Sequence, residues 1–524
     1  MFYTQEIMAV LDQDLKEQVK GIFASLEREY CFVIEGPTEL YATKEMAAFF
    51  TEVAETSPKL GVVVRNNNSD RAVMKLFRDD SPTGISMRCI PGGHEFTSLL
   101  LAVLNADGKG KNLPDDSLAA RIKALKGEIA LTTYVSLECT NCPDVVQALN
   151  VMALYNDNIS SETVDGNLAV QEVEALDVKS VPTVFANGER LQVGKSSLGE
   201  LLEKLEAKFG SEPVAAGPAR HFEVVVLGGG PSGASAAIYL ARKGIKVAVV
   251  AKTIGGQVKE TVGIDNLIST MHTTGEKLAA DLRAHMSDYP IEIFDNRSYE
   301  RVDLKSTPKR IECKGGEVFE ADRVIIATGA SWRRLGVPGE SEYIGRGVAF
   351  CVHCDGPFYA GQDVAVIGGG NSGIEAAIDL AAICKHVDVF EFLDTLKADE
   401  VLQEKAKALP NVTIHLSSAA QEVIGDGKKV TGLKVQDRVS GKVTDYAVGG
   451  IFVQIGLKAN SDPFKTQVET NRAGEIMVDH LCRTDIPGVY ASGDCTNVPY
   501  KQIVIAMGEG AKAALSLVDD RIRG

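Results

Sequence analysis

Residues 221–244 read HFEVVVLGGGPSGASAAIYLARKG, and this stretch decides the fold. The apolar run Val224–Leu227 makes a short buried strand. Glycines follow at 228, 230 and 233 in GxGxxG spacing, and a helix of small residues comes next. Gly228 permits the tight turn out of the strand. Gly230 lets the backbone approach a pyrophosphate, and Gly233 lets helix and strand pack closely. The helix N-terminus then offers its unpaired N–H groups to phosphate. Strand, turn and helix in this order predict a parallel α/β sheet that binds a dinucleotide. The next strand, KVAVVAKT at 246–253, ends in Ala251-Lys252. An acidic residue commonly holds the adenosine ribose there, so the ribose contact is not read from this strand.

The logic repeats at residues 362–381, QDVAVIGGGNSGIEAAIDLA, with Gly368, Gly370 and Gly373. Its second strand, HVDVFEF at 386–392, reaches Glu391, about twenty residues on. A carboxylate there accepts from the ribose 2′-hydroxyl and repels a 2′-phosphate, so this site should prefer NADH to NADPH. Two further strand ends assign the first turn to FAD. RVIIATGA places Thr328-Gly329 after a strand, and GVYASGDCTN places Gly493-Asp494 after another, ahead of a helix. A strand-end Asp can accept from the ribityl chain of FAD. The back half is therefore two Rossmann-like dinucleotide-binding domains, the second inserted in the first. Residues 222–340 and 480–524 form the FAD domain, and 341–479 the NAD domain.

The front half carries no glycine fingerprint. Residues 116–208 run through a helical stretch, the strand IALTTYVSL at 129–137, Cys139-Thr-Asn-Cys142, another helix, and Val181-Pro182-Thr183 before the strand VFANG. Strand, CxxC, helix and a later VPT is the thioredoxin order. Residues 1–115 show a similar rhythm, with strands at CFVIEG and KLGVVVR around the helix TKEMAAFFTEVAE, but no CxxC. The expected architecture is α/β throughout: tandem thioredoxin-like units, then the two nucleotide domains. Gly210–His221, GSEPVAAGPARH, reads as a linker between the halves, residues 209–221 in all.

At 524 residues the chain exceeds one core. Its formal charge of −16 argues against nucleic acid and anionic membranes. The N-terminus lacks the basic-then-apolar layout of a signal peptide, and a cytoplasmic address is the default. In a reducing compartment CxxC pairs are redox or metal sites. A shared Cys₄ zinc site is disfavoured because each pair lies in its own redox-type context, so no metal is expected. Cys351-Val-His-Cys354 precedes the second glycine turn, and Asp355 beside it could move protons during exchange. In the other pair, Cys139 follows its strand at a helix N-terminus, where a thiol ionises more readily. Cys139 is thus the expected nucleophile and Cys142 the resolving thiol, with Pro182 opposite in the cis form.

CVHCDG followed by GGGNSGIEAA resembles the thioredoxin-reductase class of pyridine nucleotide–disulphide oxidoreductases. ECTNCPDVVQALN in a fused front half, GHEFTSL at 93–99 and GDCTNVPYKQI narrow the resemblance to the alkyl hydroperoxide reductase flavoproteins, over nearly the whole chain. The resemblance implies a homodimer that uses FAD and NADH. Electrons would pass to Cys351–Cys354, then to Cys139–Cys142, then to a peroxiredoxin partner, with Cys354 facing the flavin. It also implies a role for Glu95, within GHEF. Further candidate cofactor contacts are Pro231, Ser232, Gly256, Gln257, Asn266, Asn371, Ser372 and Gln502.

Overall fold

The computed structural model describes residues 11–178, 181–214, 217–261 and 263–523, with the backbone alone at 260, 353 and 354. The chain divides into two compact units, 1–215 and 216–524.

In the first unit the strands are β1 (Tyr30–Glu35), β2 (Leu60–Arg65), β3 (Val73–Arg78), β4 (Ser81–Arg88), β5 (Ile129–Val135), β6 (Ile159–Asp165), β7 (Thr183–Ala186) and β8 (Glu189–Val193). The helices are α1 (Gln13–Phe23), α2 (Tyr41–Ala54), α3 (Glu95–Ala106), α4 (Asp116–Lys123), α5 (Cys142–Tyr155), α6 (Val170–Ala175) and α7 (Leu198–Phe209). The strands form one sheet in the order β2-β1-β3-β4-β6-β5-β7-β8. Each half repeats one pattern: a parallel pair followed by two antiparallel additions. The halves meet where β4 runs parallel to β6, with Ile85 opposite Ser161. The two expected thioredoxin-like units are thus real repeats, but they share a sheet. They also share a core, which runs from Phe23, Phe32 and Phe50 of one repeat to Leu149, Leu201 and Leu205 of the other. Hydropathy periodicity could not show this, because the seam is a long-range pairing.

The second unit continues with β9 (Arg220–Gly229), β10 (Val247–Ile254), β11 (Ile291–Phe294), β12 (Tyr299–Asp303), β13 (Lys309–Cys313), β14 (Val318–Ile326) and β15 (Ala330–Trp332). Then come β16 (Val348–Ala349), β17 (Asp363–Ile367), β18 (His386–Phe390), β19 (Val412–His415), β20 (Ser418–Gly425), β21 (Val430–Asp437), β22 (Val443–Tyr446), β23 (Gly450–Val453), β24 (Leu457–Ala459) and β25 (Val489–Ala491). Its helices are α8 (Pro231–Ala241), α9 (Gly275–Ser287), α10 (Val352–Asp355), α11 (Asn371–Ala381), α12 (Glu400–Lys407) and α13 (Ile503–Arg523). One sheet runs β11-β10-β9-β14-β13-β12, with β25 beside β14. A second runs β16-β23-β17-β18-β19, next to the small sheet β20-β21-β22. Along β9 alternate residues serve opposite faces. Val224 and Val226 pack with α8 and α13, while Val225 and Leu227 pack with Phe319 and Val489. Burial on both faces explains why this strand reads as a continuous apolar run.

Two boundaries move. Residues 460–479, expected in the inserted domain, pack on the first sheet instead, through Phe464, Val468 and Ile476. The crossing back occurs where β24 pairs antiparallel with β15. The linker is also shorter than its composition suggested. Lys126 N–H donates to the Gly210 carbonyl, Glu212 N–H donates to the Ala124 carbonyl, and Ser211 bridges Leu125. At the other end Arg220 and His221 already belong to β9. Among the described residues, no helix is long and apolar enough to cross a membrane.

Candidate functional site

The two glycine turns are built alike. A Cβ on Gly228 would stand 2.2 Å from the Ala327 carbonyl oxygen, and one on Gly233 would stand 2.0 Å from that of Gly228. In the second turn the same places are met by Gln454 O at 2.4 Å from Gly368 and Gly368 O at 1.9 Å from Gly373. The protein's own packing therefore explains the outer two glycines of each set. It does not explain the middle ones. A Cβ on Gly230 would meet nothing nearer than 3.8 Å, and one on Gly370 nothing within 4 Å. Their φ angles, −76° and −83°, suit any residue. Both cap helices, α8 and α11, whose first amides have no side-chain cap. An open cradle beneath uncapped amides fits a dinucleotide pyrophosphate.

Around the first turn, Gly256 faces Gly230 across the mouth, its Cβ position 3.5 Å from the Gly230 Cα. Ser232 Oγ and Ser492 Oγ share a buried hydrogen bond of 2.8 Å, which ties the start of α8 to the end of β25. Gly493 packs on Ser232. Burial raises the neighbouring Asp494 carboxyl, against the pull of Lys501. Thr328 Oγ donates to Asn460 O at 2.8 Å, and the Asn460 amide returns a bond to Thr328 O at 2.9 Å. Asn460 was not legible in the sequence, because it arrives from the far side of the inserted domain. Asn266 and Gln502, two expected cofactor contacts, are bonded to each other at 3.3 Å. The Gln257 side chain lies against Ala330 O and Trp332 Nε1. At Ala251 and Lys252 the carbonyls accept from Arg297 and Asn296 N–H groups.

Around the second turn, Glu391 is buried and its carboxylate accepts from the Gly369 N–H and, at 2.8 Å, from the Leu393 N–H. Glu391 therefore organises the turn itself. Asn371 is committed to Asp399 through a reciprocal pair of bonds at 3.0 and 2.8 Å. Ser372 is exposed beside it.

Cys139 and Cys142 lie in a small apolar cluster with Val135, Val146 and Val181. The Val181–Pro182 bond is cis. Helix α5 begins at Cys142, with Asn141 as its N-cap, so Cys139 stands before the helix and not at its first turn. Exposure still ranks the thiols as expected. Cys139 is 7% exposed and Cys142 is fully buried. Burial, then the bond with Cys139, pushes the Cys142 thiol well up.

Glu95 is the first residue of α3, in the repeat that has no CxxC, yet it is only 1% exposed. Neither carboxyl oxygen has a well-formed hydrogen bond among the described residues, with the Ser98 hydroxyl as a weak donor. Burial pushes this carboxyl up to about 7, Ser98 pulls it down and Cys139 pushes it further up. The loop before it is pinned to the strand end that leads into Cys139, by His94 N–H donating to Leu137 O at 3.1 Å.

In the second unit Cys351 is disulphide-bonded. The side chain of Cys354 lies outside the described residues, so the expected pairing is not among them. Asp355, at the end of the short helix α10, is partly buried, and its carboxyl is raised by burial to about 6. Two dithiol positions, each near a carboxyl that burial keeps partly protonated around neutrality, can support thiol–disulphide exchange with local proton transfer.

The pyridine nucleotide-disulphide oxidoreductase profile matches residues 222–510, and a thioredoxin-domain profile matches residues 130–207. An alkyl hydroperoxide reductase subunit of Pseudomonas putida is 44% identical over 524 residues, covering 98% of this chain and 99% of its own. A protein of Bacillus subtilis (strain 168) named NADH dehydrogenase is 44% identical over 514 residues, covering 98% and 100%. Thioredoxin reductase from Streptococcus pyogenes MGAS5005 superposes with a TM-score of 0.56 at 34% identity, covering 58% of this chain and 99% of that one. Glycine cradles, strand ends and full-length relatives agree: the chain belongs to the pyridine nucleotide-disulphide oxidoreductase family, enzymes that work with FAD and a nicotinamide nucleotide.

Proposed function

We propose that the chain is an NADH-dependent flavoprotein disulphide reductase whose electron pairs leave to a peroxiredoxin, the partner that reduces hydroperoxides. The observation that carries this reading is Glu95. A buried carboxyl with only the weak help of Ser98 costs stability, and this one lies in the electrostatic field of Cys139, from a repeat with no dithiol of its own. FAD would be held by Gly228, Gly230, Pro231, Ser232 and Gly233, with Gly256, Thr328, Gly329, Gly493 and Asp494. NADH would be held by Gly368, Gly370, Ser372 and Gly373, with Glu391 toward the ribose. Held there, FAD would supply the two-electron couple that links hydride donation by the nicotinamide to disulphide reduction.

The chain's own residues do the remaining work. Asp355 protonates a thiolate as the Cys351–Cys354 disulphide opens. The resulting dithiol reduces the Cys139–Cys142 disulphide by exchange. The Cys139 thiolate then attacks the peroxiredoxin disulphide and releases one partner thiolate. Cys142 attacks Cys139 in the mixed disulphide and releases the second. The partner leaves as a dithiol, and Cys139–Cys142 is again oxidised. Glu95 holds and returns the proton that Cys139 exchanges. The same resemblance implies a homodimer, and a cytoplasmic address stays the default.

A second reading follows from the relative named NADH dehydrogenase. An enzyme that passes electrons only to a small acceptor would need neither Cys139 nor Glu95. Anaerobic titration with NADH separates the two. The relay requires uptake of about six electrons, two each for FAD and two disulphides. Uptake of about two would leave the flavin alone in the reaction and sink the relay.

A further inference from the structure

Strand β25 begins at Val489 and runs toward Gly493 and Asp494. At its other end, away from the glycine turns, a cleft of about 440 Å³ opens in the second unit. Lys309, Arg323 and Arg483 bring cations to its wall, and Asp322 and Asp520 bring carboxylates. Both carboxylates are already matched. Asp520 accepts from Arg483 at 2.8 and 2.6 Å and from the Tyr490 hydroxyl at 2.7 Å. Asp322 lies 3.2 Å from His221 Nε2. Lys309 and Arg323 are left over, and among the described residues neither forms an ion pair.

These two cations are held in place by the fold. Lys309, the first residue of β13, is only 6% exposed. Its ammonium donates to Leu304 O at 3.0 Å, and its other two N–H groups have no acceptor among the described residues. The loop before it is braced, since Asp303 accepts from the Lys305 and Ser306 N–H groups and Ser306 Oγ donates to Pro308 O at 2.7 Å. Both side chains converge on Gly488. A Cβ there would stand 3.4 Å from Lys309 Cε and 3.5 Å from Arg323 Cγ. Burial pulls the Lys309 ammonium below its ordinary value, Asp303 pushes it up, and the like charge of Arg323 pulls it down again. Two like charges drawn together and withdrawn from water cost stability when no anion lies between them.

An anion between Lys309 and Arg323 offsets that cost, and the donors select its chemistry. A guanidinium fork beside an ammonium suits the oxygens of a phosphate. A phosphate monoester carries about −1.5 to −2 charges at neutral pH, which matches two cations where a carboxylate matches one. The cleft has room for more than the phosphate, since its volume falls within the roughly 300–1,000 Å³ of small-molecule sites. Ile486, Pro487 and Val489 add an apolar strip beside the cations. We propose that this cleft binds a small phosphate monoester, with the phosphate group between Lys309 and Arg323 and the organic body along Ile486–Val489.

The test uses the full-length flavin-loaded enzyme at constant ionic strength, titrated by calorimetry with glycerol 3-phosphate and with inorganic phosphate. Wild-type enzyme should bind the ester about tenfold more tightly than the free ion. Arg323→Met should raise the Kd of the ester by about tenfold, or ~1.4 kcal/mol, and Lys309→Met should raise it by at least as much. Anaerobic reduction of the flavin by NADH should be the same in both variants as in wild type, because the cleft is remote from the glycine turns. Should Lys309→Met fail to fold, Arg323→Met carries the same two readouts. Equal affinity for ester and free ion, lost in Arg323→Met, keeps the phosphate site and overturns the ester as its occupant. Affinities unchanged in Arg323→Met would put the anion elsewhere, at the uncapped amides of α8 or α11, and overturn the site. Wild-type enzyme that binds neither probe overturns it as well.

Discussion

The two CxxC positions have their nearby buried carboxyls placed in different ways. In the second unit Asp355 directly follows Cys354 in sequence, at the end of the helix that carries the pair. In the first unit the carboxyl is that of Glu95, more than forty residues before Cys139 and on the other repeat. Both carboxyls are raised by burial, Glu95 to about 7 and Asp355 to about 6. One environment is local and the other is assembled across a duplication. Under the proposed relay, a repeat without a CxxC would still contribute to the neighbouring site, by supplying a proton holder instead of a thiol.

The most drastic way to break the comparison is to remove one site's chemistry. Cys139→Ser should drop peroxiredoxin turnover to background while NADH still reduces the flavin. The anaerobic titration should fall from about six electrons to about four, at two per couple. Full turnover by this variant would show that the second unit serves the partner alone.

Next in size is the input side. Gly370→Val fills the open cradle and should cut NADH reduction by at least ~100-fold, with the protein remaining yellow. Gly230→Val should instead lose the flavin. The reverse outcome would exchange the assignments of the two turns. Glu391→Arg should lower the NADH-to-NADPH ratio of kcat/KM roughly tenfold or more, since it removes a like charge from the 2′ position. An unchanged ratio would confine Glu391 to bracing Gly369.

The two acids can be compared through stability. A carboxyl whose folded value is raised stabilises the fold only while it is protonated. For Glu95 that contribution is present below about pH 4.5 and is lost as pH rises to about 7. The loss is on the order of 3 kcal/mol. Glu95→Gln should abolish this decline, leaving the first unit more stable than wild type at pH 8. A melting temperature with the same pH slope in both proteins would place the carboxyl in water. Asp355→Asn should show the same sign with a smaller effect, in the window between about pH 3.8 and 6, since its side chain is partly exposed.

Local patterns revealed most of this. The glycine spacings, the apolar runs of β9 and β17, the CxxC pairs and the cis Val181–Pro182 bond are all short-range signals. What the sequence hid is non-local. The burial of Glu95, the bond of Ser232 to Ser492 and the bracing of Thr328 by Asn460 each join residues from distant segments. The return of residues 460–479 to the first sheet is illegible in the sequence for a related reason. Phe464, Val468 and Ile476 give no periodic run, and only the β15–β24 crossing marks the change of domain. Composition misled at the linker, where Gly210–Glu212 looks loose but is hydrogen-bonded to the end of α4 and the residues after it.

The parallel seam between β4 and β6 bears on how this chain can be cut. A gene trimmed to begin near residue 116 would keep the second repeat's strands, dithiol and helices. It would also strip β6 of its neighbour and leave a row of unpaired amides and carbonyls along Ser161–Val164. Such an edge invites pairing with other chains, so the shortened product should collect in inclusion bodies. For anyone preparing fragments, the natural place to divide the gene is therefore after residue 212, with both repeats kept together.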